Sequence, residues 1–388
     1  MKLQGIRVLD LSQFLPGPHL TMMMADHGAE VIKIEPPGGE PVRQVGLRQN
    51  GHSVWFRNTH RHKRCVVLNL KDAAARAVFL RLAARADVIV EAFRPGVAQR
   101  LGVGYDAVQA INPGVVYCSI SAFGQSGSMA QHPAHDLAVQ AEAGLVSVNL
   151  GADGQPAMPG VPAADMAASL MALSGILMAL WRRHSTGQGD YLDIAMYDSL
   201  LAWTPNVMGP PLAEGRAPVV KDERSWGGAA FNGIYATACG RHLALAGSEA
   251  KFVNGLLGAL GRPDLVPLAL QPPGPGHEPV RAFLRQRLAQ KTLAEWTEFL
   301  APLDVAWAPV RTLHEAVHGP LALERAMRVE QPAGQPHLGL PIKFQHEPGV
   351  LVGDLDELGA STDAVLQELG YSDAERAALR IAGAIGPP

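Results

Sequence analysis

Cysteine is scarce in this chain and does not cluster: Cys65, Cys118 and Cys239 are the three among 388 residues. They offer neither a pairing framework nor metal-ligand spacing, which fits a reducing compartment. Charge of one sign is missing as well. A formal net charge of −3 provides no general attraction to polyanions, so nucleic acid is not an expected partner. The uncharged apolar run Met166 to Trp181 covers 16 residues, short of the roughly 18 to 20 that span a bilayer. A core helix is expected there, and no membrane. The first residues, MKLQGIRVLDLS, read as a strand without an apolar signal core or a cleavage site, so a cytoplasmic location is the expectation. No internal repeat is present. The glycine-rich dinucleotide fingerprint is absent too, because the first turn reads SQFLPGPH. Glu35 ends the second strand where a ribose-binding acid would sit, yet without that turn no nicotinamide or flavin site is expected.

What is present points to a large α/β enzyme-sized core. Hydrophobic residues make up 47% of the chain and charged ones 18%, enough apolar surface for two domains at this length. Residues 5–35 give a βαβ unit, and strands then alternate with helices up to Asp198, which predicts a mostly parallel, Rossmann-like sheet. Residues 205–228 are rich in Pro and Gly and read as a linker. A hairpin turning at Cys239 and Gly240 and three helices form a smaller α/β domain over 229–305. Residues 306–388 are expected to link back to the large domain of residues 1–204, which is thus built from both chain ends.

The stretch that organises the rest is GVPAADMAASLMALSGILMALWRRHSTGQGDYLDIAMYD, residues 160–198. Met166, Leu170, Leu173, Leu177, Leu180 and Trp181 recur at helical spacing, while Ala168, Ala172, Gly175 and Ala179 form a small face onto which another backbone can pack. Asp165 opens this helix. Its carboxylate either caps the helix or is a nucleophile or base held ionised in apolar surroundings. A helix start would also offer N–H donors to an oxyanion.

Two other groups carry charge in patterns that allow chemistry. RNTHRHKRCVVLNLK holds Arg57, Arg61, Lys63 and Arg64 with His60 and His62; it is a solvated loop or a patch for the phosphates of a bulky anionic ligand. No third ligand stands near the two histidines, so no metal is expected. The irregular loop SGSMAQHPAHD falls where the carboxyl ends of the sheet strands gather, the edge ligands favour in open α/β sheets. It ends with His135 and Asp136.

Taken in order, LQGIRVLDLSQFLPGP, ADHGAEVIKIEPPG, KRCVVLNLK, DVIVEAFRPGVAQRLGVGYD and the 160–198 stretch resemble the family III CoA-transferases of the CaiB/BaiF type. That superfamily also contains the α-methylacyl-CoA racemases. The resemblance covers nearly the whole chain. It implies an interlocked homodimer whose chains thread through each other, and a CoA thioester as substrate with no permanently bound cofactor. Asp165 matches the transferase nucleophile, which forms an aspartyl-CoA thioester on the way to a carboxylic acid acceptor. His135 and Glu249 match the histidine and glutamate that racemases use with the aspartate to exchange the α-proton. By the residues alone, His135 is equally a loop histidine bonded to Asp136, and Glu249 a helix-start acid. For CoA, the resemblance carries over Arg94 and Arg100 together with Lys63 and Arg64; the arginine usual after the second strand is replaced by Pro36. The glycine-rich loop of formyl-CoA transferases is reduced to Gly227 and Gly228. The expected function is CoA transfer through Asp165. The alternatives are 2-methylacyl-CoA racemisation by His135, Asp165 and Glu249, and CoA-ester binding without turnover, with Asp165 as a cap only.

Overall fold

Short aliphatic runs between turns build six strands in the larger of two units. They are β1 (Arg7–Asp10), β2 (Glu30–Glu35), β3 (Lys63–Val67), β4 (Val88–Glu91), β5 (Val116–Ser121) and β6 (Asp190–Ala195). All pair in parallel, in the order β3-β2-β1-β4-β5-β6. This is the doubly wound arrangement expected when helices cover both faces. In the computed structural model this unit comprises residues 1–146, 157–203 and 322–388, and the second unit comprises 147–156 and 204–321. Residues 1–386 are described, except 152, 331–334 and 352–354.

The covering helices are α1 (Pro16–Asp26), α2 (Val54–His60), α3 (Ala73–Ala83), α4 (Asp136–Glu142), α5 (Ala163–Thr186) and α6 (Met196–Ala202). One face of the sheet packs Ile32, Ile34, Val66 and Ile89 against Val78, Phe79 and Leu82 of α3. The other packs Val8, Val88, Val116 and Ile120 against α1 and the small side chains of α5, Ala164, Ala168 and Ala172, with Ile176. The small face of α5 packs closely, as expected, while part of its large face turns outward. Leu170, Leu173 and Leu180 pack on the same core, while Leu177 is 41% exposed, Met178 70% and Trp181 82%. Close approach explains the small face, since a Cβ on Gly175 would stand 2.5 Å from Leu192 of β6.

In the second unit, β7 (Asn232–Ala236) and β8 (His242–Ala246) form the expected hairpin, with Gly240 at φ 74°. Helices α7 (Ala250–Ala259), α8 (Glu278–Leu288) and α9 (Leu293–Leu300) follow. They enclose Trp296, whose Nε1 donates to the Leu288 carbonyl at 2.8 Å. The sequence reading ended this domain at residue 305, but β9 (Trp307–Pro309) pairs with the free edge of β8, Ala308 opposite Ala244. The unit therefore runs to Leu321.

The chain then returns to the larger unit through β10 (Arg328–Glu330), β11 (Pro336–Leu338), α10 (Thr362–Glu368) and α11 (Asp373–Ile381). This return closes the edge of β3. Cys65 N donates to Asp356 Oδ2 at 2.9 Å, Val67 N to Thr362 Oγ1 at 3.1 Å, and Ser361 N to the Cys65 carbonyl at 3.0 Å.

Several histidines are packed inside this unit in the neutral state. Burial lowers His19 and His337 to about 4, with the cation Arg61 beside both adding to the effect. Burial and Lys63 lower His60 well below its ordinary value. Because the unfolded chain binds protons at these sites near pH 6.5 and the folded chain does not, the stability they allow is full above pH 6.5 and is lost as pH falls toward 4. Urea denaturation at pH 7 and pH 5 is expected to differ by on the order of 3 kcal/mol from this source, and His337→Gln should remove part of the difference.

Candidate active site

Strand order reverses between β1 and β4, so the loops leaving their carboxyl ends diverge and open a crevice. A cavity of about 660 Å³ lies there, lined by Gln13 and Phe14 after β1, Phe93 and Arg94 after β4, Ser121 at the end of β5, His132 to His135, Leu137, Ala138 and Asp165.

Buried charge braces the wall formed after β1. Asp10, without exposed surface, accepts from Ser12 N at 2.9 Å, Thr21 Oγ1 at 2.7 Å and Lys63 Nζ at 2.9 Å. Lys33 stands 3.6 Å from Asp10 and 3.3 Å from Glu40, and donates to the Ser12 carbonyl. Burial opposes ionisation of Asp10, but the two lysines outweigh it and hold its carboxyl below the usual range. Glu40 in turn accepts from Phe14 N at 2.9 Å. Phe14 is thereby kept at φ 65°, a conformation bulky side chains rarely adopt. Its ring meets His135 edge-on, with centroids 5.7 Å apart.

Asp165 is the third residue of α5, and the N–H groups at that helix start are all occupied. Ala163 N donates to the Val161 carbonyl at 2.9 Å and Met166 N to the Pro162 carbonyl at 3.1 Å. Ala164 N and Asp165 N donate to Asp136 Oδ1 at 2.8 and 3.1 Å. Two expectations change. Asp165 is not the cap of its helix, and the helix start has no N–H left for an oxyanion. The Asp165 carboxyl accepts no hydrogen bond among the described residues. Burial, reinforced by the charge of Asp136, pushes it up to about 7.

His135 shares the cavity with Asp165, and among the described residues its ring makes no hydrogen bond. It is not bonded to Asp136, whose second oxygen accepts from Gln140 Nε2 at 2.6 Å. Arg94 is exposed, lines the cavity and has no ion-pair partner among the described residues. Arg100 is likewise exposed and unpaired. Its guanidinium lies over Gly96, where a Cβ would be 3.2 Å from Nη1. Glu249 belongs to the second unit, where it precedes α7, is 55% exposed and faces Arg224 at 3.8 Å.

Lys63 and Arg64 do not form a phosphate patch. Lys63 Nζ is fully buried on Asp10 and donates to the Pro18 carbonyl at 2.8 Å. Arg64 bonds Glu30 at 2.9 Å and both oxygens of Glu368, at 2.7 and 2.9 Å. Arg61 is spent on Asp26 at 2.6 Å. The sequence reading passed over Phe14 and Glu91, and named Asp136 only as a partner of His135. Glu91 is buried and pushed up to about 7, although the Ser119 hydroxyl and Phe93 N oppose the shift. It accepts from Phe93 N at 2.7 Å and so anchors the loop that carries Arg94.

The description of CoA-transferase family III matches residues 3–361. The chain belongs to that family. Over 369 residues it is 33% identical to the acetyl-CoA:oxalate CoA-transferase of Acetobacter aceti, covering 92% of this chain and 94% of that one. Over 394 residues it is 33% identical to human alpha-methylacyl-CoA racemase, covering 97% and 95%. Among solved structures, a CaiB/BaiF family protein from Brucella suis superposes with a TM-score of 0.83 at 27% identity, covering 95% of this chain and 99% of that one. A family III enzyme thus carries Asp165, His135 and Arg94 around one cavity.

Two variants test these assignments. Lys63→Ala takes from buried Asp10 the nearer of its two lysines, leaving Lys33 at 3.6 Å, and should lower unfolding free energy by on the order of 3 kcal/mol, measured by urea titration; a surface phosphate-binding lysine would cost almost nothing. Asp165→Asn should do the opposite. Since the folded carboxyl titrates near 7 and the unfolded one near 4, the wild type loses stability as pH rises between them. The variant should be more stable by on the order of 1–3 kcal/mol at pH 8, with the difference vanishing near pH 4.

Proposed function

We propose that this enzyme moves CoA from an acyl-CoA thioester to a carboxylic acid, with Asp165 as the nucleophile. The observation that carries the reading is a carboxyl group with no capping duty and no hydrogen-bond partner among the described residues, facing a cavity of about 660 Å³. A carboxylate raised to about 7 is more basic than an ordinary aspartate and still largely ionised at pH 8, which suits attack on a thioester. In the first step an Asp165 oxygen bonds the thioester carbon and the C–S bond breaks, giving a mixed anhydride and CoA thiolate. The thiolate then attacks the Asp165 carbonyl, releasing the donor acid and leaving an aspartyl-CoA thioester. The acceptor carboxylate reverses both steps. Arg94 and Arg100, exposed and unpaired among the described residues, serve the anionic CoA chain. Lys63 and Arg64 are left out of that role. The outward large residues of α5 suit the interlocked homodimer, in which a second chain covers them. The likeness to the Acetobacter acetyl-CoA:oxalate CoA-transferase supports the transfer reading.

A second reading is favoured by one observation: His135, without a hydrogen bond of its own among the described residues, lines the same cavity as Asp165. Two bases flanking an α-carbon are what proton exchange in a 2-methylacyl-CoA requires. The likeness to the human alpha-methylacyl-CoA racemase supports it.

One incubation decides between them. The enzyme is mixed with a 2-methylacyl-CoA in D₂O, and both the small molecule and the intact protein are weighed. A CoA-sized gain mapping to Asp165 without α-deuterium is expected, and α-deuterium without an adduct would establish proton exchange instead. Full turnover by Asp165→Ala in either assay would sink both readings.

A further inference from the structure

The reading of Asp165 as the reacting carboxylate leaves open what keeps it available. An acid in the first turn of a helix ordinarily folds back onto the free N–H groups and the positive end of the dipole. In α5 that pull is strong, because the preceding residue, Pro162, has no side chain able to cap. The N–H groups that Asp165 would seek are held by Asp136 Oδ1, at 2.8 and 3.1 Å.

Asp136 is itself fixed. Its Oδ2 accepts from Gln140 one turn along α4 at 2.6 Å, and the same Gln140 Nε2 donates to the Val161 carbonyl at 3.1 Å, just ahead of α5. Gln140 is 3% exposed, so a buried amide joins the start of α5 to α4. His135, immediately before Asp136, is carried into the cavity by the same turn.

We propose that Asp136 is the positioning residue of the site: by capping α5 in place of Asp165, it leaves the Asp165 carboxyl unbonded and sets a second carboxylate beside it. Around Asp165 the charged and titratable groups lining the cavity are Arg94 from the loop after β4 and His132 and His135 ahead of α4; the loop after β1 and the start of α6 contribute Gln13, Phe14 and Met196, none of them charged. Asp136 is the acid among its neighbours, and its charge adds to burial in raising Asp165.

Two substitutions separate the cap from the charge. Asp136→Asn keeps an oxygen for the two N–H groups and removes the charge, at the cost of the Gln140 Nε2 hydrogen bond, which an amide NH2 cannot accept. Asp136→Ala removes both. Asp165 is followed directly by NMR of protein carrying 13C-labelled aspartate carboxyls, its signal assigned by its loss in Asp165→Asn. In Asp136→Asn the melting temperature should stay within a few degrees of wild type while the Asp165 midpoint falls by at least about one pH unit. The acid limb of the kcat/KM profile should move down with it. In Asp136→Ala, kcat should drop at least about tenfold with KM for acyl-CoA changed less than threefold, since a withdrawn carboxyl loses reaction and not binding. An Asp165 midpoint unmoved in Asp136→Asn overturns the proposal, and so does wild-type kcat in Asp136→Ala. If Asp136→Ala does not fold, the asparagine variant alone decides. A midpoint that moves in a protein with no acyl-CoA turnover would overturn the proposed function and leave the role of Asp136 standing.

Discussion

A charge cluster with almost no access to water lies beneath the carboxyl edge of the sheet, and the geometry of the site hangs on it. Asp10, Lys33, Lys63 and Glu40 come from β1, β2, β3 and the loop after β2, and each is at most 2% exposed. Such ions persist inside a protein only where partners and hydrogen bonds replace the lost hydration. Here the replacements are loop atoms as well as opposite charges. The carbonyls of Ser12 and Pro18 and the N–H groups of Ser12 and Phe14 complete the shells. Satisfying the ions and shaping the loop are therefore one constraint, and a residue with φ 65° is its visible result. Gly17 belongs to the same constraint, because a Cβ there would stand 2.1 Å from Ser12 Oγ.

Across the cavity, the opposite wall uses charge differently. Asp136 and Asp165 are two acids at one helix start, of which only Asp136 is compensated by hydrogen bonds. The ionic cost that Asp10 avoids by pairing is left in place at Asp165. One unit thus holds a carboxyl pressed below its ordinary range and another raised to about 7. Environments that drive like groups apart in this way are a signature of chemical division of labour.

Much of this was legible in the sequence. Alternating strands and helices gave the parallel sheet, and the acid opening a long uncharged helix marked Asp165. What failed has physical causes. The basic segment at 57–64 resembled a phosphate patch because the acids that neutralise it are remote: Asp10 lies 53 positions from Lys63, and Asp26 lies 35 from Arg61. Capping by Asp136 was hidden for the same reason, with 28 and 29 positions between it and the N–H groups it accepts. Phe14 carries no sign of its φ in its side chain. On α5 the small face was legible as a close-packing one, but the outward turn of Leu177, Met178 and Trp181 was not.

The closure of β3 by the C-terminal return has a consequence for how the chain is made. A ribosome delivers β3 early, but Asp356, which caps its Cys65 N–H, lies 291 positions later. At about 5–20 residues per second, the strand waits roughly 15–60 s with one row of backbone groups unpaired. An unpaired strand edge is a template for other chains. The nascent protein thus carries this unpaired edge for as long as its second unit is being synthesised.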